Sequence, residues 1–122
     1  MLNPKLLEPT LLWSNNNPNN AFSNQDAILN QDTSNFKYLV IEWKNYMGNV
    51  IGTSDGNKTR GSNITKLDNN VGYGYMLFEG SENYRILFIK SKTIVHFDDT
   101  TSNFTSPNQL IIPVAIYGTN IL

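Results

Sequence analysis

The feature that most constrains the fold is the segment over residues 71–97, in which short β-branched and aromatic runs alternate with polar breaks. Turn-forming residues interrupt it at positions 80–83 and 90–92. The apolar residues show no spacing of three and four, and glycines fall among them, so an amphipathic helix is excluded. The segment therefore predicts three consecutive antiparallel strands joined by tight connections.

Residues 36–43 form the strongest single strand pattern outside this segment. Leu39, Ile41 and Trp43 share one face of the extended chain, and the other face is also rich in large side chains. A strand that is apolar on both faces is typical of a central position in a sheet. We therefore expect Trp43 to be buried.

Residues 110–117 predict the last strand, and Pro113 lies inside it. Because proline has no N–H to donate to a ladder, this strand is expected to lie at a sheet edge or to carry a bulge. Weaker strand patterns occur at residues 26–29 and 64–67. Residues 52–63 contain three glycines and no apolar side chain, which predicts an exposed, mobile loop.

The composition favours the same fold class. The chain has 122 residues, of which 39% are apolar and only 16% charged, and asparagine supplies much of the polar surface. Asparagine, serine, threonine and glycine favour turns and sheet edges over helices. We predict an all-β protein, an antiparallel two-sheet β-sandwich of jelly-roll-like form. An extended N-terminal arm over residues 1–12 precedes a single domain over residues 13–122, since Pro4 and Pro9 prevent a regular helix in the arm.

Several classes of partner are excluded by charge and hydropathy. The net charge is −1 and the nine basic residues are scattered, whereas a nucleic-acid surface needs clustered Lys and Arg. No apolar run approaches the roughly 20 residues that span a bilayer. There is no cysteine, and therefore neither a disulfide nor a thiolate metal site. The sequence predicts no nucleic-acid partner, no membrane contact and no cofactor.

Catalytic and metal-binding patterns are weak. His96 is the single histidine and lies in an alternating strand pattern, and no Gly-x-Ser-x-Gly elbow is present, so we predict no catalytic residues and no enzyme. Asp98 and Asp99, with Asn103 nearby, are compatible with oxygen ligation of Ca²⁺. Carboxylates at a strand end are also ordinary turn residues, and we favour this second interpretation and predict no metal site.

Aromatic residues are numerous beside the amides, a combination that saccharide sites use. A ring covers the apolar face of a sugar, and amides bond its hydroxyl groups. The alternative is that most of these rings fill the sandwich core, and for each single ring we favour the core. The ligand-binding residues therefore stay unknown at this point. The aromatic residues concerned are Trp13, Phe22, Trp43, Tyr46, Tyr73, Tyr75, Tyr84 and Tyr117.

The two ends of the chain carry a pattern that resembles a small β-domain of virion proteins from phages of Gram-positive bacteria. That pattern runs Leu-Trp-x-Asn-x-Asn-Pro, then Phe-x-x-Gln, then a strand of the Tyr-Leu-Ile type, and ends in Ile-Pro-x-x-Ile-Tyr-Gly. The match to this pattern is weak between residues 48 and 70. The matching positions are Leu12, Trp13, Asn15, Asn17, Pro18, Phe22, Gln25, residues 38–41 and residues 112–118.

The resemblance implies a function and a location. Such domains lie at the tips of tail, baseplate or head fibres, usually as homotrimers, and take part in attachment to the host surface. The expected function is thus a virion fibre or baseplate adhesion domain whose partners are a host cell-wall or surface glycan and other virion proteins. The alternative is a purely structural virion module, a head-fibre or capsid decoration protein that docks on other virion proteins.

Overall fold

The structure is a computed structural model that describes residues 9–45, 57–66, 70–78, 80–103 and 107–121. Short 3-10 turns lie at Thr33–Asn35 and Pro107–Gln109. No helix in these ranges has the length and apolar character needed to span a lipid bilayer. The strands are β1 (Thr10–Ser14), β2 (Gln25–Ile28), β3 (Tyr38–Asn45), β4 (Asn57–Lys66), β5 (Val71–Phe78), β6 (Ser81–Ser91), β7 (Ile94–Phe97) and β8 (Ile112–Thr119).

These strands form two antiparallel sheets, one of order β1-β8-β3-β4 and the other of order β2-β7-β6-β5. Buried apolar residues from both sheets make one continuous core. Strands from the two ends of the chain pair with each other, β1 with β8 and, inside this pair in sequence, β2 with β7. The other pairs, β3–β4, β5–β6 and β6–β7, are hairpins of consecutive strands. The predicted all-β sandwich is confirmed.

The predicted three-strand meander is confirmed as β5, β6 and β7. Its connections are shorter than expected. Gly80 has a φ of 78°, a left-handed conformation that glycine adopts without steric cost, and β6 already begins at Ser81. The second turn lies at residues 92–93, so the predicted break at residues 90–92 is displaced towards the C-terminus.

The central strand is β3, which lies between β8 and β4 as predicted. Leu39, Ile41 and Trp43 all point into the core and are buried. The Trp43 ring meets the Phe97 ring of the other sheet edge to face, with 5.8 Å between centroids and an interplanar angle of 85°. This contact joins the two sheets directly.

The prediction of a loop over residues 52–63 is wrong for its second half. Residues 57–63 belong to β4, which pairs with β3 from Tyr38↔Lys66 to Asn45↔Asn57. Backbone hydrogen bonds to an already extended central strand make this pairing possible in a segment with almost no apolar side chain. Residues 46–56 lie outside the described residues.

The prediction that Pro113 marks either an edge strand or a bulge is resolved in favour of the bulge. Strand β8 lies inside its sheet, between β1 and β3, so the edge position is wrong. The register to β3 shifts at this point: Glu42 faces Ala115 and Trp43 faces Pro113, which leaves Val114 as the extra residue. The irregularity accommodates the missing N–H of Pro113 in an interior strand.

The boundary between arm and sandwich lies earlier than predicted. Thr10 already pairs with Gly118, and Leu12, at the irregularity of β1, is buried in the core. Residues 10–12 are therefore part of the sandwich. The arm over residues 1–8 lies outside the described residues.

Glycine occupies two inward positions of β5, and at Gly74 the opposing side chains leave no room for a larger residue. A Cβ atom on Gly74 would lie 2.5 Å from Cγ2 of Ile111 and 2.8 Å from Cε2 of Trp43. Gly72, two residues earlier, is also buried. Since side chains alternate along a strand, the large residues between these glycines are directed outwards.

Arg85 is the largest fully buried side chain in the described part of the molecule. Its Nε donates to the Ile111 carbonyl at 2.8 Å, one terminal nitrogen donates to Asp98 O at 2.8 Å, and the other donates to Leu110 O at 3.3 Å. Burial lowers the pKa of Arg85 to about 10, and the Asp99 carboxylate opposes this shift. The guanidinium remains protonated at neutral pH and satisfies three carbonyls that the sandwich has removed from water.

A cluster of charged side chains ties the short strand β2 to the meander. The Asp26 carboxylate lies 2.6 Å from Nδ1 of His96 and 3.1 Å from Nζ of Lys90. On the other side of the ring, Nε2 of His96 lies 3.4 Å from the Asp98 carboxylate. The cluster therefore links β2, β6 and β7 across the outer surface of the sheet.

We expect Arg85→Met to destabilise the protein by at least about 2 kcal/mol, because the Ile111 and Asp98 carbonyls lose the Arg85 donor and each such loss costs roughly 1–3 kcal/mol. The Leu110 carbonyl keeps a hydrogen bond from the Thr100 hydroxyl at 2.9 Å. Arg85→Lys is the matched variant that keeps the charge. Since one ammonium cannot reproduce the planar fork, it should recover only part of the loss. Chemical denaturation measures both, and equal stability of Arg85→Met and the parent would contradict the assignment.

A second prediction concerns acid stability. Hydrogen bonds from His96 and then Lys90 hold the pKa of Asp26 below its ordinary value of 3.8. A carboxyl with a lowered folded-state pKa stabilises the fold above its ordinary pKa, and this contribution disappears as the pH falls through the lowered value. Asp26→Asn should therefore flatten the loss of stability between pH 4 and more acidic conditions. Thermal melting at a series of pH values checks this, and an unchanged Asp26→Asn profile would contradict it.

Candidate functional site

A groove opens beside the connection between β1 and β2 and has a volume of about 380 Å³. Its walls combine aromatic rings with a series of side-chain amides, and we call it the asparagine groove. No acidic or basic side chain contributes to its lining. The lining residues are Trp13, Ser14, Asn15, Asn16, Asn17, Asn20, Ala21, Phe22 and Gln25.

Asn15 determines the shape of the groove by attaching its loop to strand β8. Its side-chain nitrogen donates to the Pro113 carbonyl at 2.9 Å, and its backbone N–H donates to Val114 O at 2.8 Å. Its side-chain oxygen accepts from the Asn17 N–H at 2.8 Å, which closes an Asx turn. A further turn follows, in which the Asn20 N–H donates to Asn17 O at 3.1 Å.

The aromatic part of the groove rests on the core. Trp13 and Phe22 pack edge to face with centroids 6.1 Å apart, and Phe22 meets Phe97 in the same way at 5.5 Å. The buried Arg85 guanidinium lies 5.3 Å from the Phe22 ring centre. These contacts fix both rings, so the groove has a rigid apolar side. For Phe22, the expectation that a ring fills the core is confirmed.

A second surface lies on the outer side of the β5–β6 hairpin. Three tyrosines are exposed there: Tyr73 by 60%, Tyr75 by 52% and Tyr84 by 39% of their surface. Val71 and Ile86 are exposed beside them, and we call these five residues the tyrosine face. The expectation that each ring fills the core is wrong for these three tyrosines, since Gly72 and Gly74 occupy the inward positions.

The tyrosine face is held by backbone pairing on both sides of β6. Tyr75 faces Tyr84 and Tyr73 faces Ile86 across the hairpin. On its other side, Tyr84 exchanges two backbone hydrogen bonds with Thr101, at 2.8 and 3.2 Å. The rings are thus presented from a paired ladder and not from a free loop.

A hydrogen bond between Tyr75 and Glu82 lies at the rim of the tyrosine face. The Tyr75 hydroxyl donates to Glu82 at 3.5 Å. Partial desolvation and the Glu82 carboxylate raise the pKa of Tyr75 above its ordinary value of 10.0, so this ring stays a phenol. Glu82 itself contributes one negative charge at the rim.

The two candidate calcium ligands have separate partners. Asp99 accepts from the Asn24 N–H at 2.8 Å and from the Asn108 amide at 2.9 Å, and these bonds lower its pKa. Asp98 directs a carboxylate oxygen towards His96. Among the described residues, no three His, Asp or Glu side chains converge in a way that would hold a metal ion.

His96, the one histidine, is engaged by carboxylates at both ring nitrogens and stacks at 5.0 Å on Phe88. Sequence reasoning located neither the asparagine groove nor the tyrosine face. The groove depends on Asn15 reaching a strand that is 98 residues away. The face had a local signal, the glycines that alternate with Tyr73 and Tyr75.

Comparisons with protein-family models, with curated proteins and with solved structures gave no match to this chain. The resemblance to phage virion domains therefore stays a prediction from the sequence.

Proposed function

We propose that this chain is an adhesion domain of a phage virion, in a fibre or a baseplate, that binds saccharide of the host cell surface. The observation that carries the binding part is the tyrosine face, where three exposed rings project from two paired strands. The resemblance of both chain ends to virion domains supports the biological setting.

The chemistry of the tyrosine face suits a sugar chain. Sugar rings carry C–H groups on one face, which pack on an aromatic ring, and hydroxyl groups at their edges, which the tyrosine hydroxyls can bond. With Glu82 at the rim, the face lacks the positive charges that an anionic polymer requires. An uncharged saccharide is therefore the ligand that fits.

The size of the tyrosine face argues against a stable protein interface made by it alone. At about 150–250 Å² per aromatic side chain, the exposed fractions leave roughly 300 Å² of open tyrosine surface. A stable protein interface buries about 800 Å² on each partner. The three rings offer enough surface for a few sugar units, and even with Val71 and Ile86 added the tyrosine face stays smaller than a stable protein interface.

The second candidate is a structural virion module, such as a head-fibre or capsid decoration protein. The same apolar surface favours it, if further contacts enlarge the interface. In this case the domain would bind purified capsid or tail proteins and would not be retained on host cell walls.

Replacing Tyr73 and Tyr75 together by alanine should weaken retention on isolated Gram-positive cell walls about tenfold or more, equivalent to about 1.4 kcal/mol. The phenylalanine pair, Tyr73→Phe with Tyr75→Phe, keeps the stacking surface and should retain most of the binding. Ile28→Ser removes an exposed apolar side chain at the far edge of the same sheet and is the control.

A co-sedimentation assay with purified cell walls measures this binding. Retention of the alanine pair at the level of the parent would overturn the assignment to the tyrosine face. Absence of retention for the parent on the walls of every host strain, together with binding to virion proteins, would favour the structural module.

The proposed assembly is a homotrimer, as in the fibre domains that the sequence resembles. Strand β8 supplies no free edge for pairing between copies, since it lies inside its sheet. Leu11 and Ile121, near the paired ends of β1 and β8, remain about half exposed and supply apolar surface. Light scattering of the full chain should give three times the monomer mass, and a monomer at micromolar concentration would remove the trimer.

A further inference from the structure

We propose that the asparagine groove is a second binding site, separate from the tyrosine face, and that it holds a single uncharged sugar unit. This goes beyond the proposed function, which places a saccharide chain on the tyrosine face. The groove lies against β1 and the loop that follows it, whereas the tyrosine face belongs to the β5–β6 hairpin of the other sheet.

The groove is formed before any ligand arrives. Asn15 holds the loop to β8 through two hydrogen bonds and closes the turn through a third. Trp13 and Phe22 are held in turn by Phe97. A site of fixed shape binds without first ordering its own loop, which lowers the entropic cost of binding.

The amides that line the groove are not all used by the fold. The side chains of Asn16, Asn17 and Asn20 make no hydrogen bond to other described residues. Gln25 donates its nitrogen to Ser23 O at 3.0 Å and keeps its oxygen as an acceptor. Each amide side chain offers donors and an acceptor close together, which matches hydroxyl and acetamido groups that also donate and accept.

The absence of charge along the lining selects against ions. A phosphate or carboxylate in the groove would lose hydration without meeting a positive side chain, and a cation would meet no carboxylate. Lys44 bonds Asn19 at the outer side of the loop, and Asp99 is engaged by Asn24 and Asn108. Neither charge lines the groove.

The volume limits the size of the ligand. About 380 Å³ is near the lower end of the range of roughly 300–1,000 Å³ that small-molecule sites occupy. One sugar ring, with its apolar face towards Trp13 and its hydroxyl groups towards the amides, fits these dimensions and this distribution of polarity.

Nuclear magnetic resonance of the full chain provides the test. Glucose, galactose and N-acetylglucosamine are titrated at millimolar concentrations, with glucuronic acid and inorganic phosphate as charged probes. At least one neutral sugar should give saturable shifts of the Trp13 indole and of the side-chain amides of Asn16 and Asn20, and the charged probes should not.

Matched variants make the test specific. Asn16→Ala with Asn20→Ala should weaken the binding about tenfold or more. Asn24→Ala, in the same loop but outside the lining, should leave it unchanged, as should the alanine pair at Tyr73 and Tyr75. Absence of saturable shifts for all three neutral sugars, shifts confined to the tyrosine face, or unchanged binding by the Asn16/Asn20 pair would each overturn the proposal.

Discussion

The buried Arg85 guanidinium is the interaction on which the architecture at one end of the sandwich depends. Three carbonyls of the segment between β7 and β8 converge on it, and two of them belong to the consecutive residues 110 and 111. Ile111 has a φ of 53°, which is unfavourable for a β-branched residue. The hydrogen bond from Arg85 and the space left by Gly74 hold Ile111 in this conformation and direct the chain into β8.

Strand β8 connects the Arg85 site to the asparagine groove. Its bulge at Val114 presents the Pro113 and Val114 carbonyls to Asn15, which then closes the turn of the β1–β2 loop. The positions matched to virion domains at the two ends of the chain, Asn15 and Pro113, are thus in direct contact. Their role in the structure is to shape the backbone, and the neighbouring residues that are not used in this way supply the free amides.

Patterns that depend on local alternation could be predicted from the sequence. The meander and the inward face of β3 follow from side-chain period alone, and Pro113 correctly indicated a bulge as one of two options. The first part of β4, residues 57–63, could not be predicted, because this stretch has no apolar side chain in its sequence and its pairing with β3 leaves no local pattern. The burial of Arg85 could not be predicted either, since the groups that compensate it are backbone carbonyls of distant residues.

For the two candidate surfaces, too, local patterns could be predicted and long-range contacts could not. The alternation of side chains predicts that Tyr73 and Tyr75 lie on the same side of β5, but it does not identify which side faces the core. The structure identifies it, because Gly74 packs against Trp43 and Ile111. The asparagine groove needed the contact between Asn15 and Pro113, which no local pattern contains.

The interior position of β8 has a consequence for the order of folding. Because β8 separates β1 from β3, the sheet to which all three belong cannot close until the last strand is present. The contacts of β8 with β1 and the loop after it join residues that are about a hundred positions apart. Such non-local contacts slow folding, since the entropy of loop closure is lost before they form. The meander, built from neighbours in sequence, can form during synthesis on the ribosome, whereas the groove comes into existence only after the chain has emerged as far as residue 114.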